Sequence, residues 1–270
     1  MRAIFRKAFR DSRRSTFWLS VGFALYLVFL MAFYPTFKNQ GEELQDLLNS
    51  YPDELLAMFY GGDTADLDMS EPGTFIQTEF GSYGVVILGA IVISGAFNAV
   101  TNAERDGTLD MMLSLPVSRR RYLLGRMLNT AVSMLIVLAA CLLGFLVSMQ
   151  IWPEFDASRV NLALGMLGSF LYLMVVSGIA YLLAAVVPSS RRFAGAIAYV
   201  ILIGSFLLYG FSSLVDALAK MRPLLLNHYF NMGEIIREGP QVSDWLVMAV
   251  VAAVYFALAW WLIDRKELGV

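Results

Sequence analysis

Few side chains in this sequence stand where they could do chemistry. The single histidine, His228, has no cysteine or clustered carboxylate near it in the chain, so it does not make a metal site by itself. The single cysteine, Cys141, lies within a long apolar run and reads as a small packing residue that no intrachain disulfide can use. Asp63, Asp66 and Asp68 are spaced like the start of a calcium loop. The glycine and terminal glutamate of an EF-hand are missing, and a solvated acidic surface accounts for them. No metal site is expected. The patterns G-x-x-x-x-G-K-[ST], G-x-S-x-G, H-E-x-x-H and C-x-x-C do not occur, so the sequence offers no catalytic residues and no phosphate-cradling loop.

What remains is the stretch 104–126, ERDGTLDMMLSLPVSRRRYLLGR. Asp106 can cap a short helix that Pro116 ends. In that helix Leu109, Met112 and Leu113 share one face, while Met111 and Leu115 lie on another. A loop helix in water should not be apolar on two faces, so two covers are expected, the membrane surface and a second protein. Ser118 then starts a basic helix with Arg119, Arg120 and Arg121. These residues fit two readings. One is an element that takes force from a partner outside the membrane. The other is an interfacial loop whose arginines follow the charge rule of membrane proteins.

The elements that must position this stretch are membrane spans. The chain has 270 residues, 58% of them hydrophobic and 16% charged, with a mean hydropathy of +0.64. Soluble domains carry roughly 25% charged residues. Six stretches reach the roughly 20 apolar residues that a crossing needs: 17–34, 80–100, 127–151, 160–187, 193–215 and 245–263. Fifteen lysines and arginines fall on one side of these spans and five on the other, which predicts both termini in the cytoplasm. The acidic residues are reversed, with ten between Glu42 and Glu79 in the outer segment 35–79. The tryptophans, Trp18, Trp152, Trp245, Trp260 and Trp261, lie near span ends as interfacial anchors. The expected fold is an all-α membrane protein of six transmembrane helices, a single domain over 1–270.

Residues 1–15 read as an interfacial amphipathic helix, with Ile4, Phe5, Ala8 and Phe9 against six basic residues. Residues 42–60 can form an amphipathic helix through Leu44, Leu47, Leu48, Leu55, Leu56 and Phe59. Asn98, Thr101 and Asn102 lead into the stretch 104–126, and Asn129, Thr130 and Ser133 lead out of it. They suit hydrogen bonds between the two helices, and Asn98, Asn129 and Ser133 are the candidates for a cargo path. No Asp, Glu, Lys, Arg or His falls deep in any of the six stretches. This argues against a proton-coupled carrier, a charge-lined channel or an intramembrane hydrolase.

The run Glu104-x-x-Gly107-Thr108-Leu109, then Leu115-Pro116-x-Ser118-Arg119, then Tyr122 and Gly125-Arg126 resembles the cytoplasmic coupling loop of ABC-2 type ABC-transporter permeases. Where Arg126 stands that family often has lysine. The resemblance extends over most of the chain through its length and span layout. It implies an exporter subunit in a cell inner (plasma) membrane, coupled to two separate ABC ATPase subunits that hold ATP and Mg²⁺, with no cofactor in this chain. It further implies a second permease subunit, identical or related, and no nucleic acid. Glu104, Gly107, Thr108, Leu109, Met112, Leu113, Leu115, Pro116, Ser118 and Arg119 would then contact the ATPase. Arg6, Phe9 and Arg13 would meet the membrane surface or the ATPase, and 216–244 would hold short re-entrant helices. The apolar, small-residue walls suit a hydrophobic or amphipathic cargo such as a lipid, peptide, antibiotic or drug. The alternatives are a non-transporting scaffold or sensor that recruits a soluble partner, and an intramembrane lipid enzyme.

Overall fold

A backbone immersed in lipid must satisfy its N–H and C=O groups internally, so long apolar runs fold as helices. The computed structural model describes residues 2–52, 55–56, 68–103, 118–187, 193–212 and 214–265, and no strand occurs among them. The helices are α1 (Arg2–Met31), α2 (Tyr34–Asn39), α3 (Gly41–Asn49), α4 (Pro72–Thr101), α5 (Arg119–Ile151), α6 (Arg159–Val186), α7 (Phe193–Phe211), α8 (Asp216–Ala219), α9 (Met232–Glu238) and α10 (Val242–Leu262). Within α4, Gln77–Gly84 is π-helical, and a second π-helical segment, Asn98–Asn102, closes its far end. Five helices, built on α1, α4, α5, α6 and α10, are long and apolar enough to cross a membrane; α7 is apolar but shorter.

Contacts between elements fix their directions. Ile4 meets Gly125, Ser12 meets Asn129 and Ala24 meets Gly144, so α1 and α5 run parallel. Tyr122 reaches Ala99 while Phe80 packs on Phe145, so α4 is antiparallel to α5. Tyr83, Gly89 and Ser94 of α4 face Phe206, Leu202 and Tyr199 of α7, again antiparallel. Gly168, Gly178 and Tyr181 of α6 face Trp245, Tyr255 and Phe256 of α10, which makes that pair parallel. One end of the bundle therefore holds the start of α1, the start of α5 and the end of α10. There Arg120 Nε lies 2.8 Å from Asp264 Oδ2, an ion pair without the alignment of a hydrogen bond.

Helices in lipid associate through close packing rather than hydrophobic transfer. At Gly144 a Cβ would lie 2.9 Å from the Ala24 carbonyl oxygen, and at Gly178 it would lie 2.9 Å from Tyr255 Cβ. These glycines let α1 and α10 seat against α5 and α6. In α6, 67% of the apolar window is buried, against 22% in the windows of α1 and α10, so α6 is the central helix.

Three expectations differ from what is observed. The boundary between an interfacial helix at 1–15 and a span at 17 is absent, because α1 runs unbroken for 30 residues. No Gly or Pro precedes Gly22, and at roughly 1.5 Å per residue the helix is about 45 Å long. The second apolar helix begins at Pro72, not 80, so Glu79 lies inside it rather than in the outer segment. The helix expected over 42–60 is interrupted, because α3 ends at Asn49 and Pro52, which lacks an N–H, follows; residues 55–56 are helical again, and 53–54 and 57–60 lie outside the described residues. The basic helix expected after Ser118 is the start of α5, which Ser118 caps by accepting from Arg121 N.

Candidate functional site

Glu104, Gly107, Thr108, Leu109, Met112, Leu113, Leu115 and Pro116 lie outside the described residues. Their two stems are described. The Tyr122 hydroxyl donates to the Ala99 carbonyl at 2.8 Å, so the helix entering this segment and the helix leaving it are joined directly. The Arg126 guanidinium lies 5.9 Å from the centre of the Tyr122 ring. Of the three consecutive arginines, Arg121 is exposed and Arg119 is half-buried, while Arg120 stacks 4.5 Å over the Trp260 ring and pairs with Asp264. The stem of α5 is thereby held to α4 on one side and to α10 on another.

The start of α1 leans on the same stem. Ile4 and Ala8 are buried, and a Cβ at Gly125 would come within 2.8 Å of Ile4 Cγ2. Arg6 and Arg13 are exposed, while Phe9 is half-buried and stacked on Phe5 with centroids 5.9 Å apart. The basic face of α1 and the return stem of 104–117 thus occupy one end of the bundle.

The candidate path residues do not converge. Ser12 Oγ donates to Asn129 Oδ1 at 3.2 Å, which turns Asn129 toward α1. The Thr130 and Tyr181 hydroxyls lie 2.9 Å apart, which ties Thr130 to α6. Ser133 is buried and its hydroxyl has no partner among the described residues; Asn98 is exposed on α4. The expected hydrogen bonds from Asn129 and Thr130 to α4 are replaced by the Tyr122–Ala99 link. Periodicity could not find this link, because it joins a side chain to a carbonyl.

At the opposite end, α9 is held by three polar attachments. Gln77 Oε1 accepts from Met232 N at 2.6 Å and from Gly233 N at 3.3 Å. Arg237 pairs with Glu71 at 3.1 Å, and Asn161 Nδ2 donates to the Ile236 carbonyl at 2.9 Å. Gly73 and Gly233 approach so closely that a Cβ on either would lie 3.0 Å from the other's carbonyl oxygen. Asn227 is buried and accepts from the Tyr172 and Ser205 hydroxyls, while Ser205 Oγ accepts from Leu226 N. The short elements between α7 and α10 therefore pack as part of the bundle. His228 is exposed against Tyr229, with centroids 4.9 Å apart. Of the acidic run, Asp68 Oδ1 accepts from Ser70 N, while Asp63 and Asp66 lie outside the described residues.

No curated protein matches the chain. A family model described as ABC-2 family transporter protein matches residues 2–268. This match and the several apolar helices make the chain a multi-pass membrane protein, a permease of an ABC transporter rather than its ATPase. The chain belongs to the ABC-2 transporter family.

Proposed function

We propose that this chain is the membrane subunit of an ATP-driven exporter, with six spans and both termini in the cytoplasm. Two separate ATPase subunits, which bind ATP and Mg²⁺, grip residues 107–116 of two such permeases, identical or related, in the inner (plasma) membrane. Closure of the ATPases draws the two loops together and moves the spans as rigid bodies. The short elements between α7 and α10 are partly re-entrant on the outer side. Cargo is hydrophobic or amphipathic, such as a lipid, peptide, antibiotic or drug.

The observation that carries this reading is the Tyr122–Ala99 bond, in a chain whose family works with an ABC ATPase. A displacement delivered between the two stems is passed to α4 and α5 together, and through Arg120 and Asp264 to α10. The test is to replace Leu109 or Leu113 with Asp at unchanged expression. Loss of ATPase co-purification and of ATP-dependent transport is the expected result. Wild-type levels of both would overturn the proposal.

A further inference from the structure

A cavity of about 350 Å³ lies between the outer segment after α1 and the π-helical part of α4, a volume within the range of small-molecule sites. Leu48 and Leu56 are its buried floor, Tyr51 and Leu55 form a half-exposed rim, and Tyr83 and Glu79 close it from α4. π-Helical turns inside longer helices are frequent at functional sites.

Charge is the second observation. No lysine, arginine or histidine occurs anywhere between residues 39 and 104, so the segment that builds both walls supplies no counter-ion. Three cations elsewhere in the chain have partners of their own. Lys38 donates to the Glu154 carbonyl, Arg222 donates to Ser212 Oγ and Arg237 pairs with Glu71. The Glu79 carboxylate has no cationic partner among the described residues. A carboxylate set among apolar groups is costly unless something pairs with it.

We propose that this cavity binds a lipophilic organic cation, whose charged centre meets Glu79 and whose apolar body fills the leucine and tyrosine walls. The Tyr51 and Tyr83 rings add faces on which a cation is attracted. The excess of carboxylates over cations in the sequence 42–79 favours cations over anions. A small inorganic cation suits the cavity poorly, because it demands a shell of oxygens that one carboxylate does not supply. Binding needs neither ATP nor a partner ATPase, so it does not rest on the export reading.

The test is equilibrium binding of radiolabelled tetraphenylphosphonium to the full chain in nanodiscs of zwitterionic phospholipid, with empty nanodiscs subtracted. Saturable binding is expected, and tetraphenylborate, of the same shape and opposite charge, should not compete. Glu79→Gln should raise Kd at least ten-fold. Leu55→Arg, at a half-exposed rim position that folding tolerates, should abolish binding. The proposal is overturned if no saturable binding exceeds that of empty nanodiscs, if tetraphenylborate competes equally, or if Leu55→Arg with a wild-type Tm keeps the wild-type Kd. Unchanged Kd in a folded Glu79→Gln variant would overturn it as well.

Discussion

The Tyr122 hydroxyl and the Ala99 carbonyl, 23 positions apart in sequence, meet at 2.8 Å and tie together the two helices that bracket residues 104–117. Tyr122 is buried apart from 8% of its surface, so the bond is shielded from water. Its ring also rests near Arg126, which keeps the hydroxyl's approach to α4 defined.

Tyr122→Phe removes this bond and keeps the packing of the ring. The expected loss of stability is about 0.5–1.5 kcal/mol, the usual net worth of one hydrogen bond. On the proposed coupling, transport per ATP hydrolysed should fall several-fold while the ATPase still co-purifies, because the substitution lies outside 107–116 and loosens only the link between the two stems. Paired measurement of ATP turnover and transport in proteoliposomes checks this. Wild-type transport per ATP would remove the link from the coupling route.

Gly144→Val should part α1 from α5. The added Cβ would start 2.9 Å from the Ala24 carbonyl oxygen, where neither backbone can yield without the other. Overpacking of this kind costs about 1–3 kcal/mol. Gly22→Ala is the matched control, since nothing lies within 4 Å of its Cβ, and it should change stability by less than about 0.5 kcal/mol. Thermal unfolding in one detergent reads both variants, and equal Tm values would contradict the parallel seating of α1 on α5.

Gln77→Leu should loosen α9 more than Arg237→Gln does. Gln77 accepts from two N–H groups at the start of α9, and leaving them unpaired costs about 1–3 kcal/mol. The Arg237–Glu71 pair is about a third exposed and contributes about 0–1 kcal/mol. Hydrogen exchange over residues 232–238 should quicken strongly in the first variant and slightly in the second. The reverse order would show that the ion pair, not the amide, holds the helix.

Hydropathy alone located the apolar helices, because a span is defined by an unbroken run of apolar residues that lipid forces into helix. The N-cap at Ser118 was also legible, since capping depends on one side chain and its own backbone. Local spacing led to the expectation of an apolar element over 107–116, and these residues lie outside the described ones.

The partners of the polar side chains were decided only by the tertiary structure. Asn129 turns to Ser12, Thr130 turns to Tyr181, and Glu79 closes a cavity from within α4. A helix that is apolar on every side gives no periodic signal for its rotation, so which face meets which neighbour follows from the close approach of small residues such as Gly125, Gly144 and Gly178. The start of α4 escaped detection for a related reason. The polar residues from Pro72 to Glu79 read as loop by hydropathy, yet Gln77 and Glu71 satisfy themselves on α9, a partner more than 150 positions away.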